Sequence, residues 1–207
     1  NEAFVITKDQ YDKLVKEDPK SKEIVFPHIT GKEVKRHRIN WDGKFLIFTK
    51  RGIDIEKFPA IKKHLLKFKE KLTPKKSPDS IGRKPGKYKW FEIQDSTAYW
   101  NIFLEEGIVY PDINQKPNFA INDKNYFPNA SLYQIKSNDL WLLSILNSDV
   151  IDCYLKKICP DLRGGYYDYK SVYIEKVPIP KKKKHEKKIK ELAKKMIQLK
   201  ISNGSEY

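Results

Sequence analysis

Apolar residues along this chain recur at helical spacing in a few runs and in short, turn-bounded bursts elsewhere. The clearest helix is residues 58–72, where Ile61, Leu65, Phe68 and Leu72 share a face and the intervening lysines point outward. Residues 139–146 predict an apolar helix capped by Asn138, and residues 150–158 a second helix or turn. Residues 186–201 predict a helix with Ile189, Leu192, Met196 and Leu199 at alternating spacings of three and four. Thr7 with Gln10 forms a capping-box signature for a helix to about residue 17, before Pro19, and residues 21–26 fit a short helix capped by Ser21. Residues 4–6, 34–39, 45–48 and 172–174 predict strands, with Asp42-Gly43 as a tight turn between the second and third. Short strands and turns are expected across residues 90–135. Residues 73–87, with three prolines, two glycines and five basic residues, predict a long loop. The whole predicts an α+β fold: a mixed or antiparallel sheet, flanking helices and a C-terminal helix. Its expected core is Phe4, Ile24, Phe26, Phe45, Ile47, Ile61, Leu65, Phe68, Phe119, Leu142, Leu143, Leu146 and Ile174.

Composition narrows the class. At 207 residues, 39% hydrophobic and 13% aromatic, the chain can bury a sizeable core and is not of disordered type. Forty-two Lys and Arg against 27 Asp and Glu give a net charge of +15, for which a polyanion is the natural partner. Part of that excess matches the lysine-, asparagine- and isoleucine-rich usage of an A+T coding bias. Cys153 and Cys159 do not share a helix face, so free, buried thiols in a reducing cytosol are expected. No apolar run reaches the ~20 residues needed to cross a bilayer. Neither a signal peptide nor an initiator methionine stands at the start, which suits a segment of a longer protein.

Several chemistries are not written in the chain. There is no Asn- or Asp-Pro-Pro-aromatic loop for an exocyclic amine, no glycine loop for a methyl donor and no phosphate-binding loop. The four histidines are scattered without ligand spacing, so no metal site is expected. Ser148 lacks the partners of a hydrolase. Pro160-Asp161 followed by Asp168-Tyr169-Lys170 matches the two carboxylates and lysine of a metal-dependent nuclease, and Pro111-Asp112 could pair with the same segment. Chance matches are expected in a chain this rich in Asp and Lys, and the pattern reads first as a turn that begins at Asp161, with Lys170 facing solvent or phosphate.

Three basic clusters could contact nucleic acid, through phosphates or base edges. In the first, Lys35-Arg36-His37-Arg38, a continuous strand would place Arg36 and Arg38 on one face, toward a duplex or as a charged guard on a sheet edge. The second is Arg83, Lys84, Lys87 and Lys89 around Gly86, with Trp90 reading as core. The third is Arg163-Gly164-Gly165-Tyr166-Tyr167, where the glycines allow close backbone approach and Arg163 could meet a guanine or a phosphate. The other reading is a plain turn between helix and strand.

The order of segments carries a resemblance. Trp141 through Ser148, Leu162 through Tyr166, and Val177-Pro178-Ile179-Pro180 followed by a lysine-rich helix resemble the TaqI-like C-terminal specificity domain of adenine-specific DNA methyltransferases and type IIG restriction–modification enzymes. Ser21 to Pro27, Gly31 to Arg36, Lys89 to Glu92, Ile108 to Asp112 and Asn118 to Ala120 extend it over most of residues 3–180. The loop at 73–87 matches nothing in the pattern, as expected of a loop that carries sequence-reading residues. The resemblance implies a target-recognition domain over residues 1–180. At 181–207 the Ile189–Leu199 stripe, set apart from the core by Pro178 and Pro180, reads as a helix that docks on a partner domain or subunit, or as one folded onto its own domain. It implies double-stranded DNA as ligand and a methyltransferase domain N-terminal in the same polypeptide. S-adenosylmethionine, and magnesium if a nuclease is fused, would belong to that parent and not to this segment. A cytoplasmic protein without membrane contact is expected. Three other readings stay open: a type I specificity subunit, a nuclease using Asp161, Asp168 and Lys170, and a basic partner-binding module without a DNA role.

Overall fold

The computed structural model describes residues 2–77, 79–95, 100–181 and 185–202. Most of the lysine block at 181–184 lies outside them. The fold is mixed α+β, and the chain divides into two compact units: Asn1–His28 with Gly43–Asn101, and Ile29–Asp42 with Ile102–Tyr207.

The first unit opens with strand β1 (Val5–Ile6) and helix α1 (Lys8–Glu17), whose N-terminus is closed by the expected reciprocal Thr7–Gln10 capping box. A second helix does not follow at residues 21–26. Asp18 caps a 3-10 turn over Pro19–Glu23, after which the chain extends into β2 (Val25–Ile29). Three of that strand's residues, Val25, Phe26 and Ile29, prefer extended backbone, and Pro27 removes a helical donor.

The chain then enters the second unit with two short strands, β3 (Val34–Lys35) and β4 (Arg38–Ile39), and returns to the first as β5 (Phe45–Ile47). β5 pairs antiparallel with β1 (Ile6↔Phe45) and β2 (Val25↔Ile47), whereas β4 pairs with β3, so the Asp42-Gly43 turn does not close a hairpin. The Tyr11 ring of α1 stacks on Phe45 at 4.1 Å. The helix expected over 58–72 is divided into α2 (Pro59–Leu66) and α3 (Lys69–Leu72). At the break Phe68 N donates to Leu65 O at 2.9 Å, an i−3 bond that tightens the turn. Ile61 and Leu65 are fully buried, but Phe68 and Phe26 are only half-buried.

The second unit holds a three-stranded sheet in the order β10-β6-β8, formed by β6 (Gly107–Pro111), β8 (Ala120–Asn122) and β10 (Leu132–Ile135), all antiparallel. Between these strands lie β7 (Ile113–Asn114) and β9 (Phe127–Pro128). Helix α4 (Leu140–Leu146) is capped by Asp139 rather than Asn138, because the Asp139 side chain reaches Trp141 N at 3.0 Å. Asn147 ends α4 and Ser148 caps α5 (Asp149–Ile158). The chain turns through β11 (Asp161–Leu162) and β12 (Tyr166–Asp168) into a short helix α6 (Ser171–Ile174), where a strand was expected, and ends in α7 (Glu186–Ser202). The strand lies instead at Tyr166–Asp168, because β7 and β11 pair with it there.

Tyr110, Phe119, Leu143, Leu146, Leu155, Tyr169 and Ile174 make the main core of this unit, and Leu142 is half-buried against it. α7 packs on α4 through Ala193 and Ile197, and Lys190 pairs with Asp139, the α4 cap, at 2.8 Å. The packed face is thus not the stripe of Leu192, Met196 and Leu199, which is exposed.

Candidate nucleic-acid interface

The loop after α3 is organised by one arginine. Arg83 Nε donates to Leu72 O at 2.7 Å, Nη1 to Glu92 O at 2.8 Å, and Nη2 to Trp90 O at 2.9 Å and Lys89 O at 3.4 Å. Its guanidinium lies 4.6 Å from the Tyr88 ring centroid, and burial lowers its pKa below that of a free guanidinium. The Arg83 N–H donates to Thr73 O at 3.0 Å, an approach that Gly82 permits: its φ is +143°, and a Cβ there would sit 2.2 Å from Thr73 O. Glu92, 4% exposed, accepts from Lys89 N at 2.8 Å and Gly52 N at 2.9 Å. Arg83 therefore spends its donors inside the protein, while Lys84, Lys87 and Lys89 stand exposed around it. Trp90 is half-buried, edge-on to Phe91 at 5.5 Å.

The first basic cluster is not one strand. β3 and β4 fold back on each other with Val34↔Ile39 and Lys35↔Arg38 opposite, and the turn falls on Arg36 and His37. Lys35 and Arg38 hence share a face, the reverse of the expected alternation, and Arg36 sits at the tip. His37 adopts φ +71°, and its amide donates to Phe119 O at 2.9 Å. Asn147 holds the same Phe119 from the other side: its Nδ2 donates to Phe119 O at 2.9 Å and its Oδ1 accepts Phe119 N at 3.1 Å. Arg36 Nη1 reaches Asp149, the first residue of α5, at 3.4 Å.

The third cluster forms a rigid projecting turn. Leu162 pairs with Tyr166 and Asp161 with Tyr167, while β12 pairs along its other edge with β7. Arg163, Gly164 and Gly165 form the tip, with φ of +78° and +75° at the two glycines. Gln115 Nε2 donates to Gly164 O at 3.1 Å, and Asp168 N to Pro160 O at 3.0 Å. Leu162, Arg163 and Tyr166 are exposed and Tyr167 is half-buried against the core. Among the described residues no carboxylate pairs with Arg163. Arg36 and Arg163 lie beyond opposite ends of the ten-residue α5, which spans roughly 15 Å.

The carboxylates suggested for a nuclease do not converge. Asp161 lies opposite Tyr167, so Asp168, one residue on, faces the other side of the ladder. Lys170 Nζ is taken up by Asp168 Oδ2 at 2.7 Å. Asp112 does approach this pair: burial first, then the Asp168 charge, raises its pKa above the usual value. Among the described residues no group of three or more His, Cys, Asp or Glu could hold a metal ion. Cys159 is buried, but Cys153 is exposed, contrary to the expectation of two buried thiols.

Gln115, Glu92 and Asn147 escaped the sequence reading as supporting residues, since single amides and acids carry no spacing signal. The three basic clusters did carry one. The first and third fall in the second unit and the other in the first.

A family model for the TaqI-like C-terminal specificity domain matches residues 26–179. The chain belongs to this family. The specificity domain is 25% identical over 166 residues to the type II methyltransferase M.BstVI of Geobacillus stearothermophilus, covering 76% of this chain and 28% of that protein. It is 26% identical over 194 residues to M.MjaIV of Methanocaldococcus jannaschii, covering 87% of this chain and 61% of that one. Its fold is similar to part of the type IIL restriction–modification enzyme MmeI, solved in complex with DNA, at a TM-score of 0.62 and 17% identity, with 97% of this chain and 26% of that chain covered. The specificity domain thus spans from about a quarter to three-fifths of these proteins.

Proposed function

We infer that this specificity domain reads duplex DNA for a restriction–modification enzyme whose chemistry lies in another part of the parent protein. The observation that carries the reading is the exposed, internally braced turn at Leu162–Tyr166, with Arg163 at its tip, in a chain that belongs to a family of specificity domains. A forked donor held on rigid backbone suits a base edge or a phosphate. Lys35, Arg36, Arg38, Lys84, Lys87 and Lys89 supply phosphate contacts that set register. Gly164 and Gly165 bring backbone close, and Tyr166 and Tyr167 line the groove. Arg83 acts from behind, by shaping the loop that presents Lys84, Lys87 and Lys89.

The division of labour follows from geometry. An adenine amino group cannot be reached inside a stacked duplex, so a recognition module holds the site while the base is turned out into a catalytic pocket. That pocket belongs to an N-terminal adenine-N6 methyltransferase domain of the same polypeptide. S-adenosylmethionine would bind there, with magnesium if a nuclease is fused. The protein works where the DNA is, in the cytoplasm. Among the described residues no helix is long and apolar enough to cross a membrane.

Binding of this chain to a short duplex enriched from a randomised pool tests the reading. Enrichment should converge on one sequence, and affinity should fall about a thousandfold between 50 and 200 mM salt if some six phosphates are neutralised. A pool that never converges, or salt-independent binding, would overturn it.

A further inference from the structure

Helix α7 has two apolar faces, and the domain uses one. Ala193 is 2% exposed and Ile197 packs on the core with Leu143 and Leu146. About a quarter turn away around the helix stand Leu192 and Met196, 50% and 40% exposed, one helical turn apart. Leu199, 62% exposed, continues their line. Exposed Lys188 and Lys195 flank the stripe on the side away from α4, with Lys187 and Lys194 further round.

We propose that Leu192 and Met196 seat an amphipathic helix with acidic flanks, contributed by the catalytic part of the parent protein. The ridge spacing of i and i+4 suits a second helix lying along α7. The lysine flanks select carboxylates on that helix. A second copy of α7 would bring like charges together along the same seam, and duplex DNA would satisfy the lysines but not Leu192 and Met196. The acidic helix follows from α7 alone; its origin in the catalytic part rests on the proposed function.

The test places a photo-reactive benzoylphenylalanine at Leu192 or, as control, at Lys194 on the other side of α7, in the full-length parent polypeptide. Irradiation should link position 192, and not 194, to a helical peptide with acidic flanks outside these 207 residues. A link to α7 of another copy or to DNA, equal yields at both positions, or no link at all overturns the docking. The exposed pair Leu192→Glu with Met196→Glu should abolish the co-purification of this chain with a separately expressed catalytic part. It should leave the affinity of this chain for its selected duplex unchanged. Retained co-purification overturns the docking. Failure of the unsubstituted chain to bind any duplex overturns the proposed function, and with it only the catalytic origin of the helix.

Discussion

Arg83 holds Glu92 by its backbone and not by its charge: the Arg83 guanidinium binds the Glu92 carbonyl at 2.8 Å, while the Glu92 carboxylate takes the amides of Gly52 and Lys89. The two side chains close a loop whose described residues hold one bridge, between Pro74 and Arg83.

That arrangement predicts that Arg83→Ala costs about 2–4 kcal/mol, because several carbonyls lose a charged donor at once. Arg83→Lys should recover little, since an ammonium cannot span the same acceptors. Urea unfolding checks the magnitude, and limited proteolysis should locate new cleavage within residues 73–95. Gly82→Ala should open the same loop, through collision with Thr73 O.

Arg163 and Arg36 should separate in DNA binding. Arg163→Ala should weaken the selected duplex by about 1–3 kcal/mol more than an unrelated one. Arg36→Ala should weaken both alike and lessen the salt dependence. Its exposed pair with Asp149 contributes only about 0.2–1 kcal/mol, so the protein should stay folded. Titrations of both variants on both duplexes decide the matter, and equal losses for Arg163→Ala would reassign it to a phosphate.

The two cysteines should react at very different rates. Burial pushes the Cys159 thiol up to about 11, whereas Cys153 is exposed on α5. A maleimide at neutral pH should label Cys153 first and reach Cys159 only on unfolding. Mass spectrometry of the labelled peptides reads this directly.

Stability should fall below neutral pH through His64. Its Nε2–H donates to Ala3 O at 3.0 Å, and burial holds its pKa below the usual 6.5. The unfolded chain therefore binds a proton that the folded chain resists, so the contribution is complete above about 6.5 and is lost as pH falls from there through the lowered folded value. Urea midpoints at pH 7 and 5 should differ less in His64→Gln than in the parent sequence.

Local signals survived folding where neighbours in sequence settle the structure. The Thr7–Gln10 box, the face of Ile61 and Leu65, and the pair of helices around Asn147-Ser148 all depend on residues within four positions. Signals failed where distant partners decide. Residues 34–39 look like one strand, but His37 turns the chain because Phe119 offers its carbonyl. Residues 172–174 look extended through β-branched content, yet β7 pairs with Tyr166–Asp168 instead. At the candidate interface the charges were legible and their duties were not. Arg83 and Lys84 are adjacent and equally basic, and only the carbonyls gathered around Arg83 set it apart.

The second unit draws Ile29–Asp42 from inside the sequence of the first. Ile29 and Val34 from that stretch are fully buried with Val109 and Ala120. A graft that exchanged this unit between relatives at a single junction near residue 101 would leave two of its innermost aliphatic residues behind, mismatched to the incoming sheet. Hybrids that carry residues 29–42 along with those from 102 onward should be the ones that express as folded protein, so an exchange of this unit has to be spliced on both sides of residues 29–42 as well as near residue 101.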